Sequence, residues 1–190
     1  ATGSIPAKPP IPGTDSEKCI DSTEALGLKE IPKTLLIVGG GVIGVEIATL
    51  YNALGCKIVI IEMLNEILPM MDAELVKIMR RKLEKKGIEI YTGAKVISFK
   101  DAGINVDVTV EMNDGKTKIF SSEKALISIG RRANTGEIGL DKVGIANDRG
   151  KITVNERMET NVDGIYAVGD CNGQIMLAHV ASAQGEVAAE

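Results

Sequence analysis

Glycines at positions 39, 41 and 44, within Gly39-Gly40-Gly41-Val42-Ile43-Gly44, have the G-x-G-x-x-G spacing, and the chemistry open to them is anion binding. Gly39 permits a tight turn, and Gly41 leaves no side chain between the backbone and a pyrophosphate. Gly44 lets the following helix lie close to the preceding strand. That helix start offers free N–H groups and the positive end of a dipole, with Gly40, Val42 and Ile43 completing the turn. The competing reading, a glycine-rich turn with no ligand, is disfavoured by context, because an apolar run precedes the motif and a helical pattern follows it. Glu62 closes the next apolar run, about twenty residues on, where an acid bonds the adenine ribose hydroxyls. A carboxylate there repels a 2′-phosphate, and Met63, Leu64 and Asn65 bring no cation to receive one. The pattern selects NAD over NADP; the alternative is an ordinary exposed glutamate.

Other reactive side chains are sparse. Cys19, Cys56 and Cys171 are far apart, without C-x-x-C or zinc spacing, so their expected roles are structural and no metal site is expected. Unpaired thiols of this kind suit a reducing compartment.

The elements that must position the turn follow from periodicity. Thr34–Val38 and Lys57–Ile61 are continuous apolar runs, as in strands buried on both faces of a parallel sheet, and Val42–Leu54 between them is helical. Its apolar positions Ile43, Ile47, Leu50 and Leu54 predict the buried face, and the unit reads as β-α-β. A second helix is predicted over Asp72–Lys86, with Asp72 as N-cap, Leu75, Ile78, Met79 and Leu83 as its apolar stripe and Gly87 as its stop. Ile88–Tyr91 is a third parallel strand. Lys95–Lys100, Val106–Met112 and Thr117–Phe120 then alternate polar and apolar residues, with a hairpin signal at Asp114-Gly115. They predict an antiparallel meander. Buried strands are expected again at Ala125–Ile129 and Gly164–Val168, a further strand at Lys151–Val154, and a helix at Ala178–Ala189. Pro6, Pro9, Pro10, Pro12, Gly13 and Pro32 make residues 5–33 loop-like apart from a helical turn within Ser22–Leu28. The expected fold class is therefore α/β, a Rossmann-like parallel sheet with helices on both faces plus a small meander.

Lys and Arg number 22 against 26 Asp and Glu, a net charge of −4 with no basic face, which argues against a nucleic-acid partner. No apolar run approaches the roughly 20 residues that span a bilayer, so no membrane association is expected. The chain begins at Ala1 and reads as a piece of a longer protein.

Five segments occur together in a characteristic order: Ala1-Thr2-Gly3-Ser4, Gly39–Glu46, Gly130-Arg131-Arg132-Ala133-Asn134, Gly164–Asp170 and Met176-Leu177-Ala178-His179. Over essentially its whole length the chain resembles the flavoprotein disulfide reductases with two dinucleotide domains, and among them the dihydrolipoamide dehydrogenase branch. In that family the NAD domain is inserted in the FAD domain, between an A-T-G and a G-D segment. The resemblance implies that residues 1–33 are the end of a first FAD-domain segment and a linker. Residues 34–163 would be the NAD-binding domain, and 164–190 the start of a second FAD-domain segment. Ala133 departs from the proline common in the family.

What the resemblance implies for residues is specific. Asp170 bonds the flavin's ribityl or neighbouring hydroxyls, Met176, Leu177, Ala178 and His179 line the flavin at a helix start, and Thr2 and Gly3 touch FAD from the other side. Glu46 points toward the nicotinamide–flavin junction, or else is a solvated helix glutamate. Val96 and Gly130 lie against NAD through their backbones, with plain strand packing the alternative for Val96. His179, the one histidine, is a flavin contact and not an acid–base residue, so no residue of this chain is read as catalytic.

For the whole enzyme the resemblance implies FAD and NAD as cofactors and hydride transfer from reduced flavin to NAD. It implies dihydrolipoyl groups of 2-oxo acid dehydrogenase complexes as partners, a homodimer, and a bacterial cytoplasm or mitochondrial matrix. The family's C-x-x-x-x-C disulfide, its acid–base histidine and the first FAD phosphate loop have no counterpart here. The chain is thus expected to bind NAD without turnover, to hold FAD weakly or not at all, and to leave the flavin-side segments, including the helix from Ala178, either poorly packed or paired with another copy. Alternatives are the NAD domain of another flavin disulfide reductase or NADH oxidase, and, in a different class, a stand-alone NAD-sensing module. The Gly169-Asp170 remnant argues against the last.

Overall fold

The structure, a computed structural model, describes residues 1–190. Along the chain run β1 (Ser4–Pro6), β2 (Cys19–Ile20), α1 (Ser22–Leu26), β3 (Thr34–Val38), α2 (Val42–Ala53) and β4 (Lys57–Ile61). Then come α3 (Ala73–Lys85), β5 (Glu89–Tyr91), β6 (Lys95–Ala102), β7 (Asn105–Glu111), β8 (Thr117–Ser122) and β9 (Lys124–Ile127). The remainder is β10 (Arg131–Ala133), α4 (Leu140–Val143), β11 (Asn147–Asp148), β12 (Lys151–Ile152), a 3-10 turn at Gly169–Asn172 and α5 (Ala178–Ala189). They form two compact units, Lys8–Gly130 and a second made of Ala1–Ala7 with Arg131–Glu190.

The first unit is built on a five-stranded parallel sheet of order β2-β9-β3-β4-β5. Strand pleating sends successive side chains to opposite faces. Leu35, Ile37, Ile58, Ile60 and Leu126 pack with Ala25 of α1, Val45, Ile47, Ala48 and Tyr51 of α2, and Val76 and Leu83 of α3. Leu36, Val38, Ile61, Ala125 and Ile127 pack instead with Val96, Phe99, Val106, Val108, Val110 and Phe120 of the antiparallel meander β6-β7-β8. The expected α/β class is present with one correction: helices cover one face, and the meander occupies the face where more helices were expected. Its alternating strands supply an apolar surface that needs no helical crossover.

Three further departures have physical causes. Strand β2 lies in the stretch expected to be loop. Two residues are too few to show a period, and the pairing of Cys19 with Ala125 and Ile20 with Leu126 comes from the sheet edge. On α2 the buried side is Gly44, Val45, Ile47, Ala48 and Tyr51, while Leu50 and Leu54, 46% and 53% exposed, face out. Beside Glu46, Thr49 and Asn52 the helix carries apolar side chains on more than one face, so pattern alone could not choose a side; Gly44, where any Cβ would overlap the Gly39 carbonyl oxygen, chooses it. On α3 the buried residues are Val76 and Leu83, and the predicted stripe members Leu75, Ile78 and Met79 are 63%, 51% and 41% exposed. Arg80 accounts for this rotation: its guanidinium donates to Glu66, Glu84 and the Ile90 carbonyl, which turns positions 76, 80 and 83 inward.

In the second unit β1 pairs antiparallel with β10, and β11 with β12. Leu140, Ile145, Ile152, Ala167 and Cys171 form its core. Gly164–Val168 is not a strand: Gly164 has φ +74° and only an isolated bridge joins Tyr166 to Glu159. An apolar run becomes a strand only beside a free sheet edge, and here the run is buried against loops instead. Strands β9 and β12 also end earlier than expected, at Ile127 and Ile152. Helix α5 spans the expected residues, and Gln184 is its one buried residue. Compactness divides the chain at residues 7/8 and 130/131, not at 33/34 and 163/164. Residues 8–33 join the parallel sheet through β2, and residues 131–163 share a core with Ala167 and Cys171.

Replacing Leu83 by Ala is expected to cost about 2–5 kcal/mol in urea unfolding, and Leu75→Ser to stay within roughly 0.5 kcal/mol. Equal losses would restore the stripe read from periodicity.

Candidate functional site

Strand β3 delivers the chain into Gly39, whose φ of +103° is a left-handed conformation that favours glycine. Its N–H donates to Ile61 O at 2.9 Å, tying the turn to β4. A Cβ on Gly39 would strike Ser128 O at 2.5 Å, and one on Gly44 would lie 2.9 Å from Ser128 Oγ. Ser128 is therefore part of the turn. Its hydroxyl lies 3.1 Å from Val38 O and 3.2 Å from Gly39 O, so the one proton serves two carbonyls at the strand exit. Sequence reading passed it over, although a hydroxyl inside the apolar run Ala125–Ile129 was a signal.

Gly40 is held from two sides. Its N–H donates to Glu62 Oε2 at 2.6 Å, and its carbonyl accepts from Leu68 N at 2.8 Å. A Cβ on Gly40 would meet Ile67 Cγ2 at 2.7 Å, which excludes any other residue there. Leu68 takes φ +50°, strained for a leucine, and the buried side chain and this hydrogen bond hold it. Glu62 is not exposed, as one reading of the sequence allowed. It is 8% accessible, and its second oxygen, Oε1, accepts from Leu64 N at 2.7 Å. One carboxylate thus staples the glycine turn to the loop after β4.

The other side of the turn is open. A Cβ on Gly41 would meet nothing within 4 Å. Gly41 is also the N-cap of α2 and supplies no capping side chain. The N–H groups of Gly41, Val42, Ile43 and Gly44 find no acceptor in the protein. Four backbone donors, the positive end of a twelve-residue helix and an unobstructed approach form an anion cradle.

The remaining residues singled out from sequence fall in two groups. Beside the turn, Glu46 is exposed and lines an apolar groove of about 680 Å³ with Ser22, Leu26, Ile43, Leu50 and Met79. Val96 is buried in the meander core, and the ladder is irregular between Val96 and Ser98. Gly130 is exposed with φ +127°, open to only a glycine. In the second unit, Asn134 N donates to Gly3 O and Asn134 Nδ2 to Thr2 O, strapping Thr2 and Gly3 to the end of β10. Ala133, the departure from the family's proline, is buried opposite Ser4. Asp170 accepts from Ser4 Oγ at 2.5 Å. Met176 is half-buried, while Leu177, Ala178 and His179 are exposed at the start of α5, where Leu177 provides no cap.

The cysteines are free. Burial pushes the Cys19 thiol up to about 11, with Asp15 and Asp101 adding to it, and burial then Glu123 do the same at Cys56. Neither is a nucleophile at neutral pH. No group of His, Cys, Asp or Glu could hold a metal ion, and no helix is long and apolar enough to cross a membrane.

The family model for pyridine nucleotide-disulphide oxidoreductases matches residues 1–185. The chain is 44% identical over its whole length to dihydrolipoyl dehydrogenase of Bacillus subtilis, covering 40% of that protein. It is 44% identical to that of Acholeplasma laidlawii, covering 56%. The HOCl-induced flavoprotein disulfide reductase RclA of Escherichia coli superposes with a TM-score of 0.91 at 32% identity, over 98% of this chain and 42% of RclA. The chain therefore spans about half or less of the length of these relatives.

Two outcomes follow from the geometry. Glu62→Ala leaves the buried Gly40 N–H unpaired and is expected to cost about 2–4 kcal/mol in urea unfolding, with Glu62→Gln losing roughly half as much; an Ala variant as stable as the parent would remove the staple. Iodoacetamide should alkylate Cys19 and Cys56 in the folded chain at pH 8 roughly a hundredfold more slowly than free cysteine, because raised thiol pKa values withhold the thiolate. Mass spectrometry at timed quenches reads this, and the rates should climb as pH rises toward the raised values.

Proposed function

The chain belongs to the pyridine nucleotide-disulphide oxidoreductase family, and on that premise we propose that it binds NAD(H) at the Gly39–Gly44 turn, as the NAD-binding part of an FAD-dependent dihydrolipoyl dehydrogenase. The observation that carries this reading is the open face at Gly41, where four unpartnered N–H groups stand beside a buried Glu62.

Each residue then has a task. The N–H groups of Gly41, Val42, Ile43 and Gly44 bind the pyrophosphate. Gly40 is excluded from that role because Glu62 already takes its N–H. Each Glu62 oxygen accepts one backbone bond and keeps a lone pair for an adenine ribose hydroxyl. The same carboxylate repels a 2′-phosphate. Arg80, a cation bonded to the loop after β4, is committed to Glu66 and Glu84 and does not offset that repulsion. The backbones of Val96 and Gly130 flank the dinucleotide, and exposed Glu46 faces the nicotinamide end. Thr2, Gly3, Asp170 and Met176–His179 make the flavin side. Bound reduced flavin would supply the hydride that the nicotinamide accepts.

No two cysteines of the chain are placed to bridge, so the dithiol half of the reaction belongs to residues other than these. These 190 residues are accordingly assigned NAD binding without lipoamide turnover. The names of the relatives support dihydrolipoyl groups as the partner of the whole enzyme. The superposition on RclA favours a second reading, the NAD domain of another flavin disulfide reductase, in which the cradle works the same way.

Titration with NADH and NADPH, followed by nicotinamide fluorescence, tests the assignment. NADH should saturate, with NADPH at least tenfold weaker. Equal affinities would sink the Glu62 argument, and a folded chain that binds neither would sink the site.

A further inference from the structure

Asp170 sits at the end of an ordered hydrogen-bond chain within the second unit. Arg131 Nε donates to Ser4 Oγ at 2.7 Å, and Arg131 Nη2 donates to the Ser4 carbonyl at 2.7 Å. A guanidinium has donors only, so Ser4 Oγ must accept from it. The single hydroxyl proton is then left for Asp170 Oδ2, 2.5 Å away. The direction of the chain is fixed: arginine to serine to aspartate.

The backbone beneath Asp170 is fixed as well. Gly169, at φ +77°, donates its N–H to Gln184 Oε1 at 2.7 Å, and Asn172 Nδ2 donates to the same oxygen at 2.9 Å. Gln184 is the buried residue of α5. Asp170 therefore has its main chain pinned from α5 and one carboxylate oxygen pinned from β1. The other oxygen, Oδ1, has no partner in the protein, and the side chain is half-buried. An ionised carboxylate oxygen in that state accepts a hydroxyl proton and rejects a phosphate or a second carboxylate.

We propose that Arg131 and Ser4 are positioning residues that present Asp170 Oδ1 as a single acceptor for a hydroxyl of the flavin's polyol chain. This rests on the flavin-side reading above. Arg131 contributes by facing Ser4 Oγ with a donor and no acceptor, so that the hydroxyl proton finds no partner on the arginine side and turns to Asp170, and its second bond to the Ser4 carbonyl ties β1 to β10. The adenosine ribose of FAD carries hydroxyls of the same chemistry, and the choice of probe separates the two.

The test compares the parent chain with Ser4→Ala and Ser4→Thr. Flavin fluorescence should show Ser4→Ala binding FAD on the order of tenfold more weakly and Ser4→Thr within about twofold of the parent. Riboflavin, which has the polyol chain but no adenosine, should lose the same factor. NADH affinity should be unchanged in both variants, which shows that the Lys8–Gly130 unit is intact, and an unchanged amide spectrum of residues 131–190 shows the same for the unit that carries Ser4. Hydrogen exchange of Arg131 Nε–H, read by NMR without any flavin, should be slow in the parent and in Ser4→Thr and fast in Ser4→Ala. Exchange unaffected by Ser4→Ala would overturn the ordered chain itself. A loss for FAD without a loss for riboflavin would move the contact to the ribose and overturn the polyol assignment, as would an undiminished FAD affinity. A parent chain that binds neither flavin, with Arg131 still protected, would agree with the weak or absent hold expected of these residues alone and would overturn the presentation of Oδ1 to a flavin hydroxyl, leaving the hydrogen-bond chain standing.

Discussion

The constraint on which the glycine turn depends is the approach of Gly44 to the Gly39 carbonyl, with no room for even one carbon atom between them. Much else follows from that contact. It sets the rotation of α2, which the apolar pattern alone leaves open, and so decides that Val45, Ile47, Ala48 and Tyr51 face the sheet. It fixes where the helix axis meets the end of β3, and hence where the four free N–H groups converge. Ser128 closes the same contact from β9, so the turn is gripped by strands on both sides of β3. A turn held this way needs no rearrangement to receive an anion, which is the source of pre-organised binding.

Glu62 adds a second role to a residue otherwise read as a selector of cofactor. Its carboxylate bonds Gly40 on one side and Leu64 on the other, which makes loop geometry, and on the proposed reading cofactor choice as well, depend on one group. Removing the charge to admit a 2′-phosphate also releases a buried N–H and loosens the loop that carries the strained Leu68. Specificity at such a site is not adjustable by a single substitution, because the selecting group is also structural. Arg80 shows the same economy: the cation bonded to this loop is spent on Glu66 and Glu84.

Legibility in the sequence tracked how local the cause was. Strands β3 and β4 were read to the residue because each is a run of four consecutive apolar side chains behind one polar residue, too short for a helix and rich in branched residues. The cap at Asp72 and the hairpin at Asp114-Gly115 were equally local. Helix faces were not legible. Leu75, Ile78 and Met79 make a plausible stripe, yet Arg80 turns the helix through ion pairs formed with residues beyond its own pattern. Strand β2 and the failed strand at Gly164–Val168 are mirror cases, since each depends on whether a free sheet edge lies beside it. At the site, the glycines and Glu62 were visible through their spacing. Ser128 and the Ser4–Arg131 pair were not, because their partners lie 89 to 127 residues away.

How the four longer helices begin separates structure from function. The start of α3 is closed by Asp72, which accepts from Glu74 N and Leu75 N, and Asp21 does the same for α1 within a capping box. The twelve-residue helices α2 and α5 begin on Gly41 and Leu177, neither with a capping side chain. Against a capped start, Leu177 costs roughly 1 kcal/mol and Gly41 about a few tenths. An aspartate at 41 would recover that stability and would also place a carboxylate where the pyrophosphate is proposed to lie. The two uncapped starts are the two places where an anionic ligand is proposed, the dinucleotide at α2 and the flavin at α5. On that proposal the bound anion would complete each of the two helices and return the stability given up there, whereas the four-residue α4, also uncapped at Gly139, has no ligand assigned to it.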